Sequence, residues 1–231
     1  MLLRSLAFLI AMSSASAAAD LNVVGSEIEI RGRIVERDGL TFKMISDTIG
    51  SDGVVVLRSD GGTVAAALQI GAIARLKGWK TIVPDDALCV SSCALIWVAG
   101  TPRVVGKGAR IGFHSAYTLE NGKMVVSGSA NALVGAYLRD MGLSPKAIAF
   151  ATESRPESLR WLTWPEAHAV GLEFTYGNDE PKLSDRLPAD KSATVTSGVP
   201  EKTAPIPHLL RPVRKETKSE LLRIFARDRA N

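Results

Sequence analysis

Val54-Val55-Val56-Leu57-Arg58-Ser59-Asp60-Gly61-Gly62-Thr63 is a compact β-branched run that stops on two glycines. Consecutive apolar residues of this kind have the pattern of a strand buried on both faces. Behind the glycines lies a helical stretch, Val64 to Lys77, closed by Gly78. Strand, tight turn and helix make one crossover unit. The chain then repeats it, with Lys80 to Val83 as strand, a polar knot around Ser91 as turn and Ala94 to Ala99 as helix. A third pass starts at Arg103-Val104-Val105 and returns through Ile111-Gly112-Phe113-His114. Strands alternating with helices in this way predict an α/β fold.

Upstream, Glu27-Ile28-Glu29-Ile30-Arg31-Gly32 alternates as a half-exposed strand should, and Leu40 to Ile49 reads as a short helix ending near Gly50. Downstream, two helices are expected, about Ser129 to Met141 and Pro145 to near Thr152, the second opened by Ser144-Pro145. Thr163-Trp164-Pro165-Glu166 has the spacing of a capping box, with proline in the first turn of a short helix that ends by Gly171. Beyond Tyr176 the prolines at 181, 188, 200, 205, 207 and 212 break any regular element, so 177–212 reads as a linker. In the last stretch, 213–231, Leu221, Leu222, Ile224 and Phe225 fit one face of a terminal helix that docks on a partner. A disordered, frayed tail fits them equally well.

With 231 residues, 46% of them apolar and 23% charged, the chain has enough apolar material for a sizeable core. Its first residues read as an export signal over 1–19. Arg4 supplies the positive start, Leu6 to Met12 is a short apolar stretch, and Ala15-Ser16-Ala17 or Ala17-Ala18-Ala19 offers a cleavage site. The apolar stretch is well short of the ~20 residues that span a bilayer. Periplasmic or secreted localisation is therefore expected for the 20–176 domain, the linker and the tail. The net charge of +4 is local, because residues 201–231 hold eight Lys/Arg and four Asp/Glu. No nucleic-acid partner is implied for the main domain; the basic tail is either solvated charge or a contact with an anionic surface.

Cys89-Val90-Ser91-Ser92-Cys93 puts two serines between two cysteines, ahead of the apolar run Ala94-Leu95-Ile96-Trp97-Val98-Ala99 and Gly100. A serine at the mouth of a helix is commonly a cap. Less commonly, taken alone, it is a nucleophile whose oxyanion product falls among unpaired N–H groups. Export would place the cysteines where they can pair, and their spacing permits a Cys89–Cys93 bridge, with two buried thiols as the alternative. No metal site is expected, since two cysteines without a nearby histidine leave the ligand set incomplete. Of the three histidines, His114 at a strand end is the best candidate base. His168 lies inside a helix and His208 in the proline-rich stretch. Taken alone, a histidine at a strand end is more often packed or exposed than catalytic.

Four pieces in order resemble the ClpP-like serine peptidases of the Clp/crotonase superfamily, in particular exported bacterial members, over about residues 24–176. In that family a strand ends in Ser-Pro-Gly-Gly before a helix, and Ser59-Asp60-Gly61-Gly62-Thr63 takes that place with aspartate for proline. The family's nucleophilic serine lies nine positions before a glycine, as Ser91 does before Gly100. A histidine follows an apolar strand twenty-odd residues later, as His114 does, and Leu162 to Leu172 resembles the closing helix. The resemblance implies a spiral of repeated ββα units. It implies Ser91 as nucleophile, His114 as base, and the N–H groups of Gly62 and Ser92 as the oxyanion hole.

The family's orienting aspartate falls on Leu159, which cannot accept the imidazole proton; Glu157 and Glu153 are near enough in sequence to substitute. The reading is thus an exported serine hydrolase acting on peptides or unfolded protein, with no cofactor. A homo-oligomer formed through Ser129–Thr152 is expected, and no ATPase partner. Leu159 favours an alternative, a catalytically weak or inactive scaffold on the same fold. Two further readings are an acyl-CoA enzyme of the crotonase kind and a cysteine nucleophile at 89 or 93.

Overall fold

The computed structural model describes residues 18–177. The expected signal (1–19, except its last two residues), the linker over 177–212 (except Gly177) and the tail over 213–231 lie outside the described residues.

Eleven strands and six helices are found among the described residues. In chain order they are β1 (Asp20–Val24), β2 (Glu27–Arg31), α1 (Asp38–Ser46), β3 (Val54–Arg58), α2 (Val64–Leu76), β4 (Lys80–Val83), β5 (Leu88–Val90) and α3 (Ser92–Val98). There follow β6 (Arg103–Val105), β7 (Arg110–Phe113), β8 (Tyr117–Glu120), β9 (Lys123–Val126), α4 (Gly128–Asp140), α5 (Pro145–Thr152), β10 (Arg160–Trp161), α6 (Trp164–Val170) and β11 (Thr175–Tyr176).

A six-stranded sheet runs β1-β2-β3-β4-β6-β11, and a smaller one runs β10-β7-β5. Within the large sheet only the β1–β2 hairpin is antiparallel; β2, β3, β4, β6 and β11 pair in parallel. The β-branched run of β3 sits among these parallel strands, with Val55, Val56 and Leu57 buried. The chain alternates between sheets: β4 in the large one leads to β5 in the small one and then α3, and β6 leads likewise to β7. The two sheets are joined where Ser59, just past β3, bridges to Cys89 on β5. α3 is the apolar centre, with every residue from Ser92 to Val98 buried.

Several boundaries differ from expectation. α1 starts at Asp38, whose buried carboxylate accepts from the Val35 N–H at 2.7 Å and so fixes the first turn two residues ahead of Leu40. α3 starts at Ser92 instead of Ala94, because the Ala94 N–H already donates to the Ser91 carbonyl at 3.0 Å. The helix expected after Thr163 carries a full capping box and ends on left-handed Gly171.

Candidate active site

Ser91 occupies the N-cap position of α3, between β5 and the helix, yet its side chain makes no capping hydrogen bond. Its backbone sits at φ 57°, ψ −127°, a region that costs a non-glycine residue about 1–3 kcal/mol and persists only where the surroundings enforce it. They do. The Ser91 N–H donates to the Gly112 carbonyl on β7 at 2.9 Å, and the Val90 N–H donates to the Ser59 carbonyl at 3.1 Å. A disulfide joins Cys89 to Cys93, with Cα atoms 5.2 Å apart, across the residues that carry the turn. It ties up both sulfurs, which removes either cysteine as a nucleophile.

The glycine pair after β3 makes this approach possible. A Cβ at Gly61 (φ +93°) would lie 2.7 Å from both the Ser91 Cβ and the Val90 carbonyl oxygen. A Cβ at Gly62 (φ +152°) would collide with the Ile34 carbonyl. That carbonyl accepts the Thr63 N–H at 2.9 Å, and the Gly61 carbonyl accepts the Ile34 N–H at 2.9 Å. Both flanking positions are thereby engaged, while the Gly62 N–H has no hydrogen-bond partner among the described residues. The Ser92 N–H, first in α3, has no acceptor within the helix. Ser59 anchors the turn from below, its hydroxyl donating to the Gly32 carbonyl and accepting the Gly61 N–H at 3.0 Å.

His114 follows β7 directly. Its Nδ1 lies 2.8 Å from the Ser115 carbonyl oxygen. A carbonyl only accepts, so Nδ1 carries the proton and Nε2 of the neutral ring is left as an acceptor. The resemblance implies a carboxylate at this nitrogen, and the bond found is to a backbone oxygen. Leu159 is solvent-exposed, and Glu153 pairs instead with Arg160, so neither serves His114; no bond joins Glu157 to the ring. The segment after the histidine is fixed by Asn131 of α4, whose side chain accepts the Ala116 N–H and donates to the Ala116 carbonyl, both at 2.9 Å.

Ser91, Ser92 and His114 line one small cleft of about 20 Å³ with the apolar side chains of Val64, Leu95, Phe113 and Val134. The Ser92 hydroxyl is buried without a hydrogen-bond partner. No hydrogen bond joins Ser91 to His114, an arrangement common before substrate tightens such a pair. Neither Gly61 nor Gly62 lines the cleft; Val64 just after them does, and Gly61 lies against the Ser91 Cβ. His168, exposed on α6, lies in a different depression and takes no part. The Ser115 carbonyl and the Asn131 anchor had no sequence signal.

No protein-family model matches this chain, and no curated protein sequence does. Solved structures do. A serine-to-alanine mutant of the 1510-N membrane-bound stomatin-specific protease is similar at 17% identity and TM-score 0.53, over 68% of this chain and 79% of that one. A lysine-to-alanine mutant of the same protease with a substrate peptide is similar at 19% identity and TM-score 0.49, over 65% and 74%. The first likeness is one of architecture: this chain is similar in fold to that protease.

Proposed function

We propose that the chain is a serine peptidase with Ser91 as nucleophile and His114 as base. The observation that carries this is an uncapped serine, held at positive φ on a strand-to-helix turn, in one cleft with a histidine whose Nε2 is free to accept. Nε2 takes the Ser91 proton as Oγ attacks the substrate carbonyl carbon. The resulting oxyanion falls to the N–H groups of Gly62 and Ser92, which have no other acceptor among the described residues. As the intermediate collapses, the imidazolium returns the proton to the leaving amine; water, deprotonated by the same nitrogen, then releases the acyl group. The Ser115 carbonyl keeps the ring in the tautomer this cycle requires. Peptide as substrate is carried over from the protease of like fold, and the alternation β4-β5-α3-β6-β7 is read as part of a ββα spiral. Export to an oxidising compartment is part of the proposal, supported by the Cys89–Cys93 bridge.

A fluorophosphonate probe tests the assignment. Wild type is expected to be labelled and Ser91→Ala not, with His114→Ala labelled at least about a thousandfold more slowly. Equal labelling of wild type and Ser91→Ala would overturn it. One observation favours a second reading, a binding scaffold with little catalysis: among the described residues no carboxylate bonds to His114. The same labelling separates the two.

A further inference from the structure

At the far end of α2 from the cleft, a groove of about 780 Å³ opens between the loop after α3 and helix α6. Val64 lines the cleft and Arg75 lines the groove, so the two are separated by about 16 Å of helix. The groove therefore shares no side chain with the candidate active site, and the proposed peptidase chemistry leaves it unexplained. Its volume is in the range of small-ligand sites.

Two cations define it. Arg75 donates to the Thr101 hydroxyl at 2.6 Å and to the Met141 carbonyl. Arg103 donates to the Val98 carbonyl at 2.6 Å and to the Glu173 carbonyl at 3.3 Å. Each guanidinium thus engages two of its five N–H donors, and every acceptor is neutral. Neither forms an ion pair among the described residues, although both are partly buried. Burial, and then repulsion from Arg75, lower the Arg103 pKa to about 10. Among the described residues Glu173 is the sole carboxylate lining the groove and offsets one charge at most; His168 is the other titratable group there. Two positioned cations facing one carboxylate leave a positive charge unbalanced, a socket for an anion.

The remaining wall is aromatic and apolar. Trp164 and Phe174 meet edge to face with ring centroids 5.3 Å apart, and Leu172 and Met141 complete the lining. An anion that carries an apolar group on the adjacent atom matches both halves; a bare inorganic anion leaves the aromatic wall unused. We infer that this groove binds the free C-terminal end of a peptide, its carboxylate on Arg75 and Arg103 and its terminal apolar side chain against Trp164 and Phe174. The fork geometry of arginine suits a planar carboxylate, and the aromatic pair sets a preference for a large apolar last residue.

Titration calorimetry on the full chain in the Ser91→Ala background tests this with acetyl-Ala-Ala-Phe as free acid and as C-terminal amide. Hydrolysis is then excluded, and failure of the peptidase assignment leaves the measurement untouched. The acid is expected to bind at least about tenfold more tightly than the amide, the ratio one charge-assisted pair supplies. Arg75→Gln should abolish that ratio. Trp164 is half exposed, at 50%, so Trp164→Ala should keep the fold, checked by circular dichroism, and lower affinity for acid and amide alike. Equal affinity of acid and amide, unchanged binding in Trp164→Ala, or displacement by inorganic phosphate at equal concentration would each overturn the inference.

Discussion

The two halves of the candidate site are held by different means. Ser91 is constrained on every side: a disulfide across its turn, a backbone bond to β7, a tie from Val90 to Ser59, and the bare face of Gly61 against its Cβ. His114 is held locally, by the carbonyl of the next residue and by one asparagine that fixes the backbone two residues further on. A strained conformation survives only where several independent contacts require it, which is why the serine side draws on three separate strands. On the proposed reading the ring accepts and returns a proton, and for that it needs the correct tautomer more than an immobile frame. The difference teaches where the machinery tolerates change: little at the serine, more at the histidine.

The harshest way to break the serine side is Gly61→Ala. The added carbon would sit 2.7 Å from the Ser91 Cβ and from the Val90 carbonyl, and neither is the far end of a flexible side chain. At φ +93° alanine is strained even with space. The turn must shift, and a nucleophile displaced by about an ångström loses at least about a hundredfold in turnover. Peptide hydrolysis by the purified variant should show that loss in kcat, with a lower Tm. Retained kcat would mean that the closeness of Gly61 to Ser91 has no bearing on reaction.

Much of this side was legible in the sequence, and the reason is local. Val54–Leu57, Gly61-Gly62 and the Ser91 knot are contiguous patterns whose physical demands do not depend on distant residues. Burial on two faces, absence of a Cβ and a helix mouth can all be read in place. The histidine side was half legible. His114 could be singled out, but acids near Leu159 were the expected orienting groups, whereas the bond to the ring comes from a backbone carbonyl, which leaves no mark on residue identity. The β8–β9 hairpin falls in a stretch given no element, despite Asn121-Gly122, both at positive φ, a two-residue turn with a recognised hairpin signature. The short strands β5, β10 and β11 had too few residues for any periodicity. They exist because neighbouring strands offer them partners.

Removing the clamp sharpens the comparison. In Cys89→Ala/Cys93→Ala the backbone ties of Val90 and Ser91 remain, so the site should weaken without collapsing. Loop entropy for so short a bridge puts the stability loss at about 2 kcal/mol, readable by urea unfolding. A roughly tenfold fall in kcat with KM unchanged is expected from a less well placed hydroxyl. Wild type unfolded and refolded under reductant should match the double variant, since both sulfurs are fully buried in the native fold. If stability drops and kcat does not, the disulfide holds the fold alone and Ser91 is positioned by its backbone bonds.

The smallest effect belongs to Asn131, on the histidine side. Its amide makes three bonds, accepting from the Ala116 N–H and donating to the Ala116 and Ser127 carbonyls. Asn131→Ala leaves these partly buried groups to water, at a cost of about 1–2 kcal/mol. Because Ser115 still offers its carbonyl to Nδ1, the tautomer is preserved and kcat should fall only about threefold, through a wider spread of ring positions. Asn131→Asp keeps the acceptor for the Ala116 N–H and loses the two donors, so it should be the more damaging if repulsion from the two carbonyls dominates. It should be the milder if the N–H bond carries the anchor. The order of the two variants in hydrolysis assays therefore identifies which contact holds the base, and a fall as large as that of Gly61→Ala would erase the asymmetry between the two halves.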